Sequence, residues 1–379
     1  MLGVHLSLLI GPTLPLPASA DIAEAVQSVS VTQNDEGRSG FQIVLQVGRS
    51  GAADMRDYRL LQNPLLRPFN RLILTVLFNA LPQVLMDGII TNWQFAPGNQ
   101  PGLGTLTLTG EDVSVMMDLK KKRANYVALS EPLIALAIIG SYAQYGLIPD
   151  VTWPTGSSQP LPTGKTPVQQ ATDLEHLKAI GQRFGHVFYV EAGPVPGLNT
   201  AYWGPPKRSG TEQRALTVSM GPQTNVEQIS FTYNGLAATV VNDVVQYKKA
   251  SVPIMTVDST RQPPLALMPA LETQFPNIRT TLLEQGSGDL DPTEAGSRAQ
   301  GITDKSVDNV ATAQGELDGL QYGGVLKPRA IVGVRGAGLT HDGRYYVKSV
   351  SHSISKGQYK QRFSLTREGT GPLFPTVVP

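Results

Sequence analysis

The chain has 379 residues, no cysteine, 16% charged residues and a formal net charge of +1. The missing cysteine excludes disulfide scaffolds, thiol catalysis and cysteine-bound metals, and the near-zero charge excludes a global pull toward nucleic acid or anionic membrane. The length implies two or three domains; low charge with 38 Gly and 29 Pro favours β-rich architecture over a disordered chain.

Residues 1–21 are expected to form an N-terminal arm. Leu6 to Ile10 is apolar and Pro17 to Ala20 imitates a signal-peptidase site. However, Met1 to His5 carries no Lys or Arg, and Gly11, Pro12 and Pro15 break the run early, so no signal peptide is expected. No stretch of about 18 apolar residues occurs, so no membrane span is expected.

Residues 22–111 read as a small β-barrel. Val29, Val31, Phe41, Ile43, Leu45 and Val47 alternate with polar neighbours at period two, around a turn at Asn34–Gly37. Leu72 to Phe78 is too apolar for a face in water. A strand covered on one side by core and on the other by a neighbouring subunit would read this way. Gly88–Phe95 and Gly104–Gly110 add two strands.

Residues 112–215 read as a peripheral α+β domain. Helices are expected at Asp112–Lys122 and Glu131–Tyr145, then a Pro/Gly/Ser-rich loop at Thr152–Thr166. Thr166, Pro167 and Gln169 have the form of a capping box. The helix after it would carry Val168, Ala171, Leu174, Leu177, Ile180 and Phe184 on one face, end at Gly185, and lead into a strand at Val187–Val190.

Residues 216–250 together with 325–370 read as a second barrel. Strands are expected at Val226–Tyr233, Ala237–Gln246, Ala330–Val334, Tyr345–Val350, His352–Ile354 and Arg362–Leu365. Between them, 251–324 is an acidic insertion, irregular at 251–300 and helical at 303–320. Residues 371–379 form a tail. No sequence repeat relates the two β regions, so any duplication between them would be structural only.

Charge is segregated. Residues 284–318 carry eight acidic against two basic residues, and 325–371 nine basic against two acidic. Such blocks pair within the chain, pair between subunits as a register device, or form solvated faces.

Nothing points to catalysis. The five histidines make no HExxH or His-x-His pair. His341–Gly343 reads as a tight turn rather than half of a catalytic pair, and His352 as a packed residue in an alternating strand. Gly333, Gly336 and Gly338 lack the Lys-Ser/Thr of a phosphate loop, and permit a close backbone approach instead. No catalytic residue, cofactor or metal is expected. Basic and aromatic residues interleave at Lys348–Arg367, but at strand periodicity, so no specific nucleic acid is expected.

The tail segments Val334–Gly338, His341–Val347, Val350–His352, Gly357–Tyr359 and Phe363–Gly369 resemble the end of the phage late control gene D hub proteins. The middle is similar at Gly104–Asp112, Met116–Leu119, Thr172–Leu177, Phe188–Val190 and Ala201–Trp203, and the start at Leu8–Thr13. That family includes the T4-type baseplate hub and the hub halves of type VI spike proteins. The resemblance implies a mainly β fold with α+β insertions. Two barrel-like tube domains per chain would form a pseudo-sixfold ring in a homotrimer.

It further implies a non-enzymatic baseplate hub adapting a trimeric spike to a hexameric inner tube and templating tube assembly. The partners would be a separate spike chain, inner-tube or tube-initiator proteins and other baseplate proteins. Assembly would occur in the cytoplasm, before incorporation into the baseplate of an injection particle or virion. Candidate interface residues are Leu72, Leu74, Val76 and Phe78, with the basic Lys348, Lys360, Arg362 and Arg367. Alternative functions are a tail-associated cell-wall hydrolase and a secreted carbohydrate-binding β protein.

Overall fold

The computed structural model describes residues 5–48, 58–78, 81–100, 103–154, 166–283 and 290–373. Most of the tail, part of the 152–166 loop, and Glu284 and Asp289 of the acidic block lie outside these residues. Alternating side chains build the first β region: β1 (His5–Gly11), β2 (Val26–Asn34), β3 (Gly40–Val47), β4 (Arg71–Phe78), β5 (Leu81–Ala96) and β6 (Gly104–Asp112). They pair in the order β1-β4-β5-β6-β3-β2. In β2, β3 and β6 one side enters a core of Val29, Val31, Phe41, Ile43, Leu106 and Leu108, and the other carries Ser, Thr and Gln. Gly110 sits under the Phe41 ring, where a Cβ would collide with the ring.

The α+β domain contains α1 (Glu131–Gly140), β7 (Leu147–Val151), α2 (Asp173–Gln182), β8 (Val187–Ala192) and β9 (Asn199–Gly204). The expected helix at Asp112–Lys122 is a 3-10 turn at Val113–Met117 followed by a short strand, Lys122–Asn125. That strand pairs with Val168–Ala171, so the expected capping box at Thr166 is displaced. The real one is Thr172 with Glu175: Thr172 Oγ1 accepts from the Glu175 N–H, and Glu175 Oε2 from the Thr172 N–H, both at 3.1 Å. Both tetrads suit a helix start, but Gln169 is committed to a buried bond with Tyr126 Oη at 2.5 Å, which holds 168–171 extended. Leu174, Leu177, Ile180 and Phe184 do pack inward.

The second β region consists of β10 (Gln213–Thr217), β11 (Gln228–Tyr233), β14 (Ala311–Asp318), β15 (Ile331–Arg335), β16 (Gly343–Ser355) and β17 (Gln358–Arg367). Between β11 and β14 lies an insertion holding β12 (Thr239–Tyr247), β13 (Ala250–Met255) and α3 (Pro292–Val307), with Val241, Val245, Ile254 and Ala299 in its core.

Two expectations change here. The strand 239–247 pairs with β13 and Arg279–Thr281, not with the main sheet. Residues 311–318 are a strand rather than a helix. Ala, Gln, Glu and Leu give that segment helical propensity. Pairing on both edges and the inward Ala313 and Leu317 override it.

The second region pairs in the order β10-β15-β16-β17-β14-β11. This repeats the first region strand for strand in chain order and in spatial order. A bulge recurs at the same place, between Ile90 and Asn92 in β5 and between Val347 and Ser349 in β16. Only the outermost strand differs: β1 runs antiparallel to β4, and β10 parallel to β15. The two units are not separate sheets. The second half of β16, Ser349–Ser355, pairs with β2 and joins both units into one 13-stranded sheet.

Candidate assembly interface

One face of this joined sheet is continuous and polar. Registered pairs carry it across the strands: Asn92 with Thr109, Thr109 with Gln42, and Gln42 with Ser30 in the first unit. In the second unit the same row is Ser349 with Ser364, Ser364 with Gln314, and Gln314 with Ser230. Across the joint Ser30 meets Ser353, and Thr32 Oγ1 lies 3.0 Å from Ser351 Oγ. These side chains are half-buried or exposed, and most are hydroxyls and amides. Charge gathers at one end, where Glu316 lies 2.6 Å from Arg362 and 3.1 Å from Lys360. Those hydrogen bonds hold the Glu316 carboxyl below the usual carboxylate range.

The opposite face feeds the two cores. His352 is there, fully buried, with Nδ1 3.0 Å from Tyr359 Oη. Burial draws its pKa down to about 3. Beside the joint, Asp35 is buried and its pKa is pushed up to about 7 by that burial, against the opposing charge of Lys348. Among the described residues no three His, Asp or Glu side chains group as a metal site would need, and no helix is long and apolar enough to cross a membrane.

The candidate interface residues divide. Leu72, Leu74 and Val76 fill the first core, and Phe78 is buried too. On the other side of β4 Ile73 and Thr75 are already buried within the single chain, and the α+β domain reaches Arg71, whose guanidinium bonds Asp87 at 2.7 Å and the Tyr145 and Gly197 carbonyls. A neighbouring subunit is therefore not what makes this strand apolar. Arg367 is also internal, bonding the Thr340 and Asp342 carbonyls and lying over the Tyr345 ring. Lys348 reaches Glu36 at 3.5 Å. Lys360 and Arg362 lie on the polar face and pair with Glu316 of the acidic block, so part of the charge segregation is resolved within the chain. His341 and Asp342 form the expected turn between β15 and β16, and Asp342 accepts from the Ala337 N–H.

Sequence reasoning missed two edges that are unpaired among the described residues. Among the described residues β11 ends the sheet, with β14 as its only strand partner. Among the described residues the second half of β5 pairs with β6 alone, its other edge being taken by β4 only as far as Ile89. Trp93 and Tyr233 project there, each 42% exposed. A faint signal exists: Val29–Thr32 and Ile229–Thr232 share an apolar-Ser-apolar-Thr pattern.

No family model matches the sequence, and no curated protein matches it in sequence. Solved structures do match in fold. A tail protein from Neisseria meningitidis MC58 superposes with TM-score 0.67 at 14% identity, covering 97% of each chain. The 43 kDa tail protein of prophage MuSo2 from Shewanella oneidensis gives 0.62 at 12% identity, over 96% of this chain and 98% of that one. The E. coli c3393 protein is a type VI secretion component described as structurally similar to T4 tail proteins gp27 and gp5. It gives 0.58 at 12% identity, over 93% of this chain and 77% of that one. At these identities the likeness is one of architecture: the chain is mainly β and has the fold of phage-tail and type VI secretion proteins.

Proposed function

We propose that the chain is a non-enzymatic baseplate hub of a phage tail or contractile injection system. Three copies would form a ring of pseudo-sixfold symmetry that adapts a trimeric spike, carried on a separate chain, to a hexameric tube. One observation carries this: a single chain holds two units of identical strand order, already joined edge to edge with a shared polar face. Three such chains present six near-equivalent units to one neighbour and a threefold face to the other.

The stagger of the sheet supports closure. Three strand-to-strand steps lead from Asn92 to Ser30, and the fourth, onto β16, pairs Ser30 with Ser353 rather than with Ser349, the counterpart of Asn92. Each unit thus crosses about 19 Å while climbing about 13 Å. That is a slope of roughly 35°, within the strand tilt of closed barrels. Six units would enclose a ring about 45 Å across, backbone to backbone. Its polar face would line the channel, since the apolar face is consumed by the two cores. The hydroxyls and amides along the row hydrate well, and the charges at the end of the face are paired, Glu316 with Lys360 and Arg362.

The test is mass in solution and electron microscopy of the full chain, alone and with a trimeric spike, together with lysis of peptidoglycan. A three-copy ring of about that diameter, without lysis, is expected. A chain monomeric under both conditions, or lytic activity lost with one acidic substitution, overturns the reading.

A further inference from the structure

The joint inside the chain specifies the joint between chains. We infer that β11 of one copy adds to the free edge of the second half of β5 of the next, antiparallel, with Ser230 opposite Ala96. The inference rests on the ring proposed above and assigns its contact strands and register.

Strand pairing alone sets this register. In the first unit the β2 row is Ser28, Ser30 and Thr32, set by pairing to Val44, Gln42 and Gly40 of β3. In the second unit β11 holds Gln228, Ser230 and Thr232, set by pairing to Glu316, Gln314 and Thr312 of β14. Gln42 and Gln314 occupy the same place relative to Thr109 and Ser364. So Ser230 is the counterpart of Ser30. Aligning the bulges makes Asn92 the counterpart of Ser349 and Ala96 that of Ser353. Inside the chain Ser30 faces Ser353. The same joint formed by the unused edges puts Ser230 opposite Ala96, Thr232 opposite Gln94, Phe231 opposite Phe95 and Tyr233 opposite Trp93.

Two features not used in that derivation agree with it. Side-chain parity is correct. Ser230, Thr232, Gln94 and Ala96 all fall on the polar face, while Phe231, Tyr233, Trp93 and Phe95 all fall on the apolar side. A slip of one residue would set aromatic against polar along the whole joint. Burial also agrees. At the internal joint Val29, Val31, Val350 and His352 are 0–2% exposed. Their counterparts Ile229, Phe231 and Phe95 are only half-buried, and Trp93 is 42% exposed. Both edges are therefore unfinished on the same side, each short of the cover that the other would supply. An unprotected aromatic edge strand is a template for another strand, and here the strand that fits belongs to the same chain. Facing residues of antiparallel strands place their Cα atoms about 4.5–5.5 Å apart, within disulfide range.

The test is oxidative cross-linking, for which a chain with no cysteine has no background. S230C/A96C is expected to give a reducible species that stops at three chains. S230C/N92C, about 13 Å out of register, is expected to give none. S30C/S353C, the internal equivalent, serves as the control that closes within one chain. Thermal melts of the reduced variants matching that of the parent establish that each is folded. A second arm adds Phe231→Lys to S230C/A96C and is expected to abolish the cross-link while the single chain still melts cooperatively, only a few degrees lower.

Failure of S230C/A96C while the internal control closes overturns the joint, and cross-linking of S230C/N92C in its place overturns the register. A three-chain ring by mass that lacks the cross-link keeps the ring and removes this contact. A covalent ladder running past three chains keeps the contact and removes the threefold reading.

Discussion

The joint between β2 and β16 and the bare edges of β11 and β5 are the same structural feature, finished in one place and open in the other. At the joint a small residue and a polar ring suffice: Val31 faces His352, and both are fully buried. At the open edges the counterparts are Phe231 and Phe95, larger and half-exposed in the single chain. The difference teaches that burial in one chain under-reports what a repeated unit is built to bury. The internal copy shows what the external one lacks.

Seven substitutions, grouped in four tests, break or sharpen that comparison. The largest effect is expected from Val31→Asp, which places an unpaired carboxylate in the first core and across the internal joint. It should cost more than about 4 kcal/mol and leave little folded protein. The counterpart Phe231→Asp should cost the single chain only about 1–2 kcal/mol while abolishing assembly. Urea unfolding and mass in solution measure the two; equal losses of stability would erase the distinction between closed and open joints.

Next is Asp87→Ala. The Arg71–Asp87 pair is buried at 2.7 Å and also held by Asn199, tying the first unit to the α+β domain. An orphaned guanidinium there should cost about 3–5 kcal/mol. At the same places in the second unit stand Ile331 and Arg344, the latter exposed and paired with Glu212 at 3.0 Å. Arg344→Ala is expected to cost less than about 1 kcal/mol. Denaturant midpoints of the two variants test whether the α+β domain is anchored to one unit only.

The joint should also carry opposing pH responses. Folded His352 stays neutral down to about pH 3, whereas the unfolded chain takes up that proton near 6.5. Its burial therefore removes stability as pH falls through that window, by up to about 1.4 kcal/mol per pH unit. Asp35 acts the other way. Its folded pKa of about 7 against 3.8 means that the folded state holds the proton, so stability declines as pH rises from 3.8 through 7. The two slopes oppose each other across most of this range. His352→Phe, which copies Phe95, should leave stability falling with rising pH. Asp35→Asn should leave it rising. Unfolding midpoints between pH 4 and 6.5 that move in parallel for both variants would contradict the assignment.

The smallest effect is expected from Trp93→Ser. The single chain should lose no more than about 1 kcal/mol, because Trp93 is 42% exposed at an open edge. If the proposed ring forms, its assembly should weaken, read as a shift of the assembly midpoint to higher protein concentration.

The alternating strands were legible wherever one face is wet. Val29–Val47 and Gly104–Gly110 show period two because solvent and core select opposite residue types. Leu72–Phe78 was recognised as a doubly covered strand, but its cover was assigned to another subunit. Sequence carries the hydrophobicity of a face, not the identity of what lies on it. Ala311–Asp318 was taken as helix since its composition is helical and its partners, Gln228–Tyr233 and Gln358–Arg367, are distant in the chain. The capping box was found one motif too early, because two S/T-x-x-E/Q-like tetrads stand six residues apart and only pairing with 122–125 decides between them. The open edges left almost no trace: an edge is defined by the partner that is missing.

By itself the sequence determined the β-rich class, the order of β, α+β and β regions, the inward side of the alternating strands, and a hub-like resemblance in the tail. All of these are local, written in the period and type of neighbouring residues. Only the tertiary structure decided that the two β regions repeat one another, that β16 stitches them into one sheet, and which edges stay unpaired. Strand pairing is a relation between residues up to about 300 positions apart. Backbone hydrogen bonds make that relation almost independent of side-chain identity, so two regions can share one pairing order while sharing almost no sequence.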